Sequence, residues 1–170
     1  EALLQRALIA AEAAQINAVI LLNKTDLPGT EHWRERLSFY TELGYSVIEL
    51  SAKEDVRHLL PLLWNHTNIL LGQSGMGKST ITNALLGDDR ARTADISTAL
   101  DSGKHTTTHA QLYDLDEETE LIDSPGLQEF GLHHLAPEKL PCYFPDLHPL
   151  MGQCRFHNCT HRAEPGCAVK

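Results

Sequence analysis

The sequence predicts an α/β fold, a mostly parallel sheet flanked by helices, with a small zinc-binding module at the C-terminal end. Three observations carry this. Short apolar runs (AVILL at 18–22, YSVIEL at 45–50, NILL at 68–71) alternate with segments of helical periodicity, the pattern of strands joined by crossover helices. Each run opens into a polar loop, which is where α/β folds hold their ligands. Cys154, Cys159 and Cys167 crowd together with His161 near the end of the chain. The expected division is a domain over 1–130 and a module over 131–170.

With 170 residues the chain is long enough for one domain with a real core and an appendage. Its 42 % hydrophobic and 22 % charged content is that of a globular protein, and no apolar run approaches the roughly 18–20 residues that span a bilayer. The start, EALLQRALIAAEAAQ, lacks the basic leader and cleavage site of a signal peptide, so a cytoplasmic location without membrane attachment is expected. It begins inside a helical pattern with no initiator Met, which points to a fragment. A net charge of −9 argues that this piece by itself attracts a phosphate backbone weakly. Four cysteines in such a chain suit metal binding better than a disulfide framework.

In chain order, the segment to about Gln15 reads as an amphipathic helix, and Ile16–Leu22 as a buried strand. That strand delivers Asn23-Lys24-Thr25-Asp26, an N-K-x-D element. Guanine presents two adjacent N–H donors that a single carboxylate, Asp26, accepts together. Adenine would leave Asp26 unpaired, and a buried polar group without partners rejects the wrong base strongly. Asn23 is expected to orient the loop and contact the base edge. Glu31–Leu43 reads as a helix stopped by Gly44, and Tyr45–Leu50 as a strand that ends at Ser51-Ala52-Lys53. S-A-K alone says little. Placed one strand-helix-strand interval after N-K-x-D, it becomes a second base-recognition loop whose backbone N–H meets guanine O6. A helix is expected from Glu54 to about Trp64.

The next strand, Asn68–Leu71, runs into GQSGMGKST, which fits the phosphate-binding pattern G-x-x-x-x-G-K-S between Gly72 and Ser79. Gly72, Gly75 and Gly77 permit torsions that turn successive N–H groups toward one anion, with the positive end of the following helix behind them. Lys78 reaches the β- and γ-phosphates, and the Ser79 hydroxyl suits Mg²⁺. The phosphate-lining stretch thus comprises Gly72, Gln73, Ser74, Gly75, Met76, Gly77, Lys78, Ser79 and Thr80, and the expected ligands are GTP and GDP with Mg²⁺.

Gly87–Lys104 is polar with little periodicity and is expected to be a mobile loop. It leads to His105 and the run Thr106-Thr107-Thr108, where Thr107 is the first choice for a switch threonine on Mg²⁺ and the γ-phosphate. Thr106 and Thr108 stay open, because spacing does not say which hydroxyl faces inward. His109–Leu115 and Thr119–Ile122 predict an antiparallel hairpin. Its second strand delivers Asp123-Ser124-Pro125-Gly126, a D-x-x-G pattern that places Asp123 near Mg²⁺ through water and the Gly126 N–H on the γ-phosphate.

GTPases usually run P-loop, switch threonine, D-x-x-G, N-K-x-D, S-A-K. Here the base-reading loops come first, so the order is circularly permuted and D-x-x-G adjoins the C-terminal module. In that module Cys154-x4-Cys159-x-His161-x5-Cys167 offers three thiolates and an imidazole, the donor set of one closed, structural, tetrahedral Zn²⁺ site. Cys142 and His157 are read as non-ligands.

GQSGMGKST, the permuted order, GKHTTT, DSPGLQEF and CRFHNCTH with PGC together resemble the ribosome small-subunit-dependent GTPases, the RsgA or YjeQ family. The resemblance covers nearly the whole chain. It implies an N-terminal OB-fold domain beyond this chain, a permuted GTPase domain and a zinc domain. The implied activity is ribosome-stimulated GTP hydrolysis late in maturation of the small (30S) subunit, with 16S rRNA and ribosomal proteins as partners. A monomer is expected. Leu127 stands where many GTPases carry a water-positioning glutamine, and the resemblance carries that role to His105, with Gln128 as its competitor. The alternative is a GTP-dependent docking module with negligible hydrolysis. A metabolic NTPase finds no second-substrate feature.

Overall fold

In a computed structural model the described residues are 2–94, 110–124 and 131–170, with backbone only for 88–94. They form two compact units, one holding most of residues 20–38 and 47–124, the other combining residues 2–19, 39–46 and 131–170. Among the described residues no helix is long and apolar enough to cross a membrane.

The larger unit contains the strands. Strand β1 (Val19–Leu22) pairs with β2 (Ser46–Glu49), and helix α2 (Thr30–Glu42) lies between them in sequence. After a four-residue helix α3 (Leu60–Leu63), β3 (Thr67–Leu70) pairs in parallel with β5 (Glu120–Asp123), and β4 (Gln111–Asp114) pairs antiparallel with β5. The hairpin is as expected. The described strands fall in two sheets, ordered β1-β2 and β3-β5-β4. The core is a cluster of Leu50, Ala52, Val56, Leu59 and Ile81, joined by Leu21, Ile48, Leu70 and Leu85. It therefore packs the second base-reading loop and the strand ends against helix α4 (Lys78–Ala94), which starts inside the phosphate loop.

Three elements differ from expectation. The buried strand expected over Ile16–Leu22 begins only at Val19, with Ile16 and Val19 exposed and Ile20 alone buried. The helix expected from Glu54 to Trp64 is a bridged turn between Ser51 and Asp55, a 3-10 turn at Arg57–Leu59 and then α3. The Asp55 carboxylate accepts from the Arg57 N–H at 2.8 Å and from its guanidinium at 3.0 Å, a local closure that competes with helical hydrogen bonding. Pro61 can then only begin a helix. The loop expected from Gly87 is helical as far as Ala94. Gly87 alone leaves helical torsions (φ 70°, ψ 167°), and the alanine- and arginine-bearing stretch beyond it resumes the helix. The remainder of that expected loop, 95–104, lies outside the described residues.

In the second unit, helix α1 (Ala2–Ala14) buries Leu8 and Ile9. It ends in a left-handed residue, Gln15 (φ 55°), with Gln15 N–H on Glu12 O and Ile16 N–H on Ala11 O. Helix α2 ends the same way at Gly44 (φ 95°), with Gly44 N–H on Thr41 O and Tyr45 N–H on Tyr40 O. The Tyr45 hydroxyl donates to Glu12 at 2.9 Å. Burial and this carboxylate together push the phenol well above its usual range. Residues 137–143 and 145–150 are 3-10 turns, each opened by one proline and interrupted by another, which rules out α-helical hydrogen bonding. None of the residues from 131 to 170 is buried.

Candidate functional site

The parallel register of β3 and β5 sets Leu70 opposite Asp123, so the phosphate loop and the strand-end aspartate leave the sheet at the same edge. Ser79 donates its hydroxyl to Asp123 Oδ2 at 3.0 Å. The other oxygen, Oδ1, is buried with no hydrogen-bond partner among the described residues. A buried carboxylate oxygen left bare costs free energy unless a cation or its water shell meets it, so Ser79 and Asp123 fit Mg²⁺. Lys78 Nζ donates to Gly72 O at 2.8 Å and Gln73 O at 3.2 Å, which folds the loop around the ammonium. Burial lowers the Lys78 pKa, and the nearby Asp123 charge opposes that shift.

The N-K-x-D and S-A-K loops meet this cradle. Asn23 donates from Nδ2 to Met76 O at 2.9 Å and accepts the Ala52 N–H on Oδ1 at 3.1 Å, so one carboxamide ties all three loops. Lys24, in the left-handed region at φ 67°, extends Nζ to Gly75 O at 2.6 Å. Gly77 sits at φ 94°, and a Cβ there would collide with Asn23 Nδ2. Only glycine satisfies both the torsion and the close approach. The Ala52 N–H, one of the donors expected for guanine O6, is taken by Asn23. Asp26 and Lys53 are exposed at the rim, and so are Gln73, Ser74, Met76 and Thr80. Ser51 is buried and its Oγ has no partner among the described residues. His105, Thr106, Thr107, Thr108, Gly126, Leu127 and Gln128 lie outside the described residues.

In the second unit Cys154, Cys159, His161 and Cys167 bring their ligand atoms within 4.8 Å of one another, as expected, and neither Cys142 nor His157 joins them. His161 Nδ1 stands 3.5 Å from both Cys154 Sγ and Cys167 Sγ. Tetrahedral zinc, about 2.3 Å from sulfur and about 2.0 Å from nitrogen, separates such atoms by roughly 3.5 Å. The donor set fits a structural zinc. The Ala168 N–H on Cys154 Sγ and the His161 ring beside Cys167 lower the pKa of these two thiols, whereas burial and the neighbouring Cys154 and Cys167 thiols push Cys159 up to about 11.

Sequence reasoning missed Glu164, whose carboxylate accepts four hydrogen bonds inside this loop. The one signal was a lone acid between the ligands His161 and Cys167.

Because the base-reading loops precede the phosphate loop in sequence yet meet it in space, the fold is that of a circularly permuted P-loop GTPase. The chain belongs to the RsgA GTPase family, whose model matches residues 1–133. It is 73 % identical over 168 residues to the small ribosomal subunit biogenesis GTPase RsgA of Neisseria meningitidis serogroup B (strain MC58), covering 99 % of this chain and 55 % of that protein. The protein of that name from Nitrosospira multiformis is 51 % identical over 170 residues, covering 99 % and 54 %. The chain thus spans about half the length of the curated relatives it matches. Among solved structures, YjeQ from Thermotoga maritima superposes with a TM-score of 0.71 at 30 % identity, over 98 % of this chain and 56 % of that one. YloQ, described as a circularly permuted GTPase, gives 0.70 at 29 %, over 99 % and 54 %.

Proposed function

We propose that this chain is the GTP-binding and GTP-hydrolysing part of a longer, monomeric, cytoplasmic protein that acts late in maturation of the small ribosomal subunit. Contact with 16S rRNA and ribosomal proteins stimulates its hydrolysis of GTP to GDP. The observation that supports this reading is the tie from Asn23 to Met76 and Ala52, which brings the N-K-x-D, S-A-K and G-x-x-x-x-G-K-S loops together. The printed names of the relatives add the ribosomal context.

In this reading Asp26 accepts both guanine donors and Ser51-Ala52-Lys53 closes on the base, while Lys24 ties the N-K-x-D loop to Gly75. The phosphate loop from Gly72 to Thr80 and the Gly126 N–H hold the phosphates, and Ser79, Thr107 and Asp123 serve Mg²⁺, which would neutralise developing charge on the phosphate oxygens. His105 positions the attacking water, a role open to an imidazole near neutral pH. Residues 131–170 form a zinc-dependent module in which Cys154, Cys159, His161 and Cys167 hold one structural ion.

A GTPase assay on the full-length protein with and without small subunits tests the whole reading. Stimulated turnover that falls in His105→Ala, with GTP affinity nearly unchanged, is expected. GTP retained intact after long incubation with subunits would replace hydrolysis by docking. Unaltered stimulated turnover in His105→Ala would move the water-positioning role to Gln128.

A further inference from the structure

Between the ligands Cys159 and Cys167 the chain runs Thr160-His161-Arg162-Ala163-Glu164-Pro165-Gly166. The Glu164 side chain turns back on this loop. Its Oε1 accepts the Thr160 N–H at 2.9 Å and the Thr160 hydroxyl at 2.5 Å, and its Oε2 accepts the Arg162 N–H at 3.1 Å and the Ala163 N–H at 3.0 Å. A carboxylate has about four lone-pair sites, and these donors fill all of them. Glu164 therefore has no acceptor capacity left for a metal, and it stands outside the four-residue ligand cluster.

The donors lie on both sides of His161. That residue occupies the left-handed region at φ 61°, where a side chain with a Cβ is disfavoured unless its surroundings fix it. Thr160 before it and Arg162 after it are both pinned to the same carboxylate, and the pinned conformation aims Nδ1 between Cys154 and Cys167. Beyond Glu164, Gly166 (φ 76°) accepts the Arg155 N–H at 3.0 Å on its carbonyl, and a Cβ at Gly166 would press on Arg155 Cβ at 3.0 Å. The same turn thus delivers Cys167 beside Cys154.

We propose that Glu164 is a positioning residue of the metal centre. Its carboxylate templates the loop from Cys159 to Cys167 and presets His161, which raises metal affinity without touching the ion. This rests on the reading of the four-residue cluster as a zinc site. Groups that orient ligands from outside the coordination sphere typically change affinity by about 10–100-fold.

The test uses the whole 170-residue chain with Co²⁺ as a spectroscopic probe and Zn²⁺ in competition with a chromophoric chelator. The wild type should take up one Co²⁺ with the intense visible absorption of a tetrahedral thiolate-rich site. A wild type that binds none removes the zinc reading itself. Given binding, Glu164→Gln should weaken Zn²⁺ and Co²⁺ by about 10–100-fold, because an amide nitrogen faces donors where an oxygen accepted, with an unchanged spectrum at saturation. Thr160→Val keeps the carboxylate and deletes one donor, so it should weaken binding by a smaller factor in a loop otherwise intact. Wild-type affinity in both variants overturns the proposal. A saturated Glu164→Gln spectrum of altered shape also overturns it, by making Glu164 a ligand.

Discussion

Asn23 holds Met76: its side-chain Nδ2 donates to the Met76 carbonyl at 2.9 Å across 53 positions of sequence. This bond sets the height of the phosphate loop against the base-reading loop, and the Ala52 N–H on Asn23 Oδ1 adds the third loop. Asn23→Ala removes two hydrogen bonds worth about 1 kcal/mol each, so GTP affinity should fall roughly tenfold or more. Gly77→Ala should act through the same contact, because its methyl would displace the Asn23 amide and strain a backbone at φ 94°. Isothermal calorimetry with GTP reads both. Wild-type affinity in Gly77→Ala would show that the loops do not depend on this approach.

Ser79 and Lys78 should separate by their metal dependence. Lys78 closes the phosphate loop on Gly72 and Gln73 carbonyls, so Lys78→Ala should weaken GTP at every Mg²⁺ concentration. Ser79 caps one oxygen of Asp123 while the other is buried and has no partner among the described residues. Ser79→Ala should bind nucleotide nearly normally in EDTA and lose the Mg²⁺-dependent gain in affinity. Identical Mg²⁺ titrations for the two variants would contradict the division.

Asp26 is exposed, and the base-recognition role proposed for it is open to direct test. Asp26→Asn should weaken GTP and favour xanthosine triphosphate, whose extra carbonyl accepts from the new amide. Competition binding among GTP, xanthosine triphosphate and ATP measures it, and equal ATP and GTP affinity in the wild type would remove the base-recognition role.

The meeting of the N-K-x-D, S-A-K and G-x-x-x-x-G-K-S loops and the clustering of Cys154, Cys159, His161 and Cys167 were legible because such motifs fix residue type and spacing together. Motif logic alone pairs Ser79 with Asp123, and they stand in contact at 3.0 Å. What could not be read is carried by contacts that no local pattern encodes. Lys24 reaching Gly75 is a bond across 51 positions, and Glu164 acts through backbone donors that every residue but proline possesses. The failed helix at 54–64 turned on one competing carboxylate, Asp55, against an apolar pattern that otherwise suited a helix. The helix beyond Gly87 was hidden because its polarity resembles that of a loop.

Helices α1 and α2 close with the same pair of hydrogen bonds, one over Gln15 and the other over Gly44. Gln15 is exposed and pays the left-handed cost that glycine avoids. Gln15→Gly should therefore stabilise the chain by about 0.5 kcal/mol after the added entropy of the unfolded glycine, raising Tm by roughly 1–2 °C. A lower Tm in a thermal melt would mean that the Gln15 side chain contributes something glycine cannot.

The C-terminal segment has no buried residue between 131 and 170, five prolines, and 3-10 turns in place of longer helices. Such a segment removes too little apolar surface from water to offset its chain entropy, so a metal must supply part of its folding free energy. Elemental analysis should find one zinc per chain, and Cys159→Ser should lose it. Chelation should make 131–170 protease-sensitive. Because α1 and residues 39–46 share a compact unit with that segment, their amide exchange should quicken as well. Strand β3 and the start of α4 belong to the other unit, whose core of Leu50, Val56, Leu59 and Ile81 needs no metal, so their protection and GTP binding should persist. A metal-free chain whose tail stays protease-resistant would leave the three cysteines of the cluster as ordinary thiols. Equal loss of protection in both units would show that the metal holds the whole chain together.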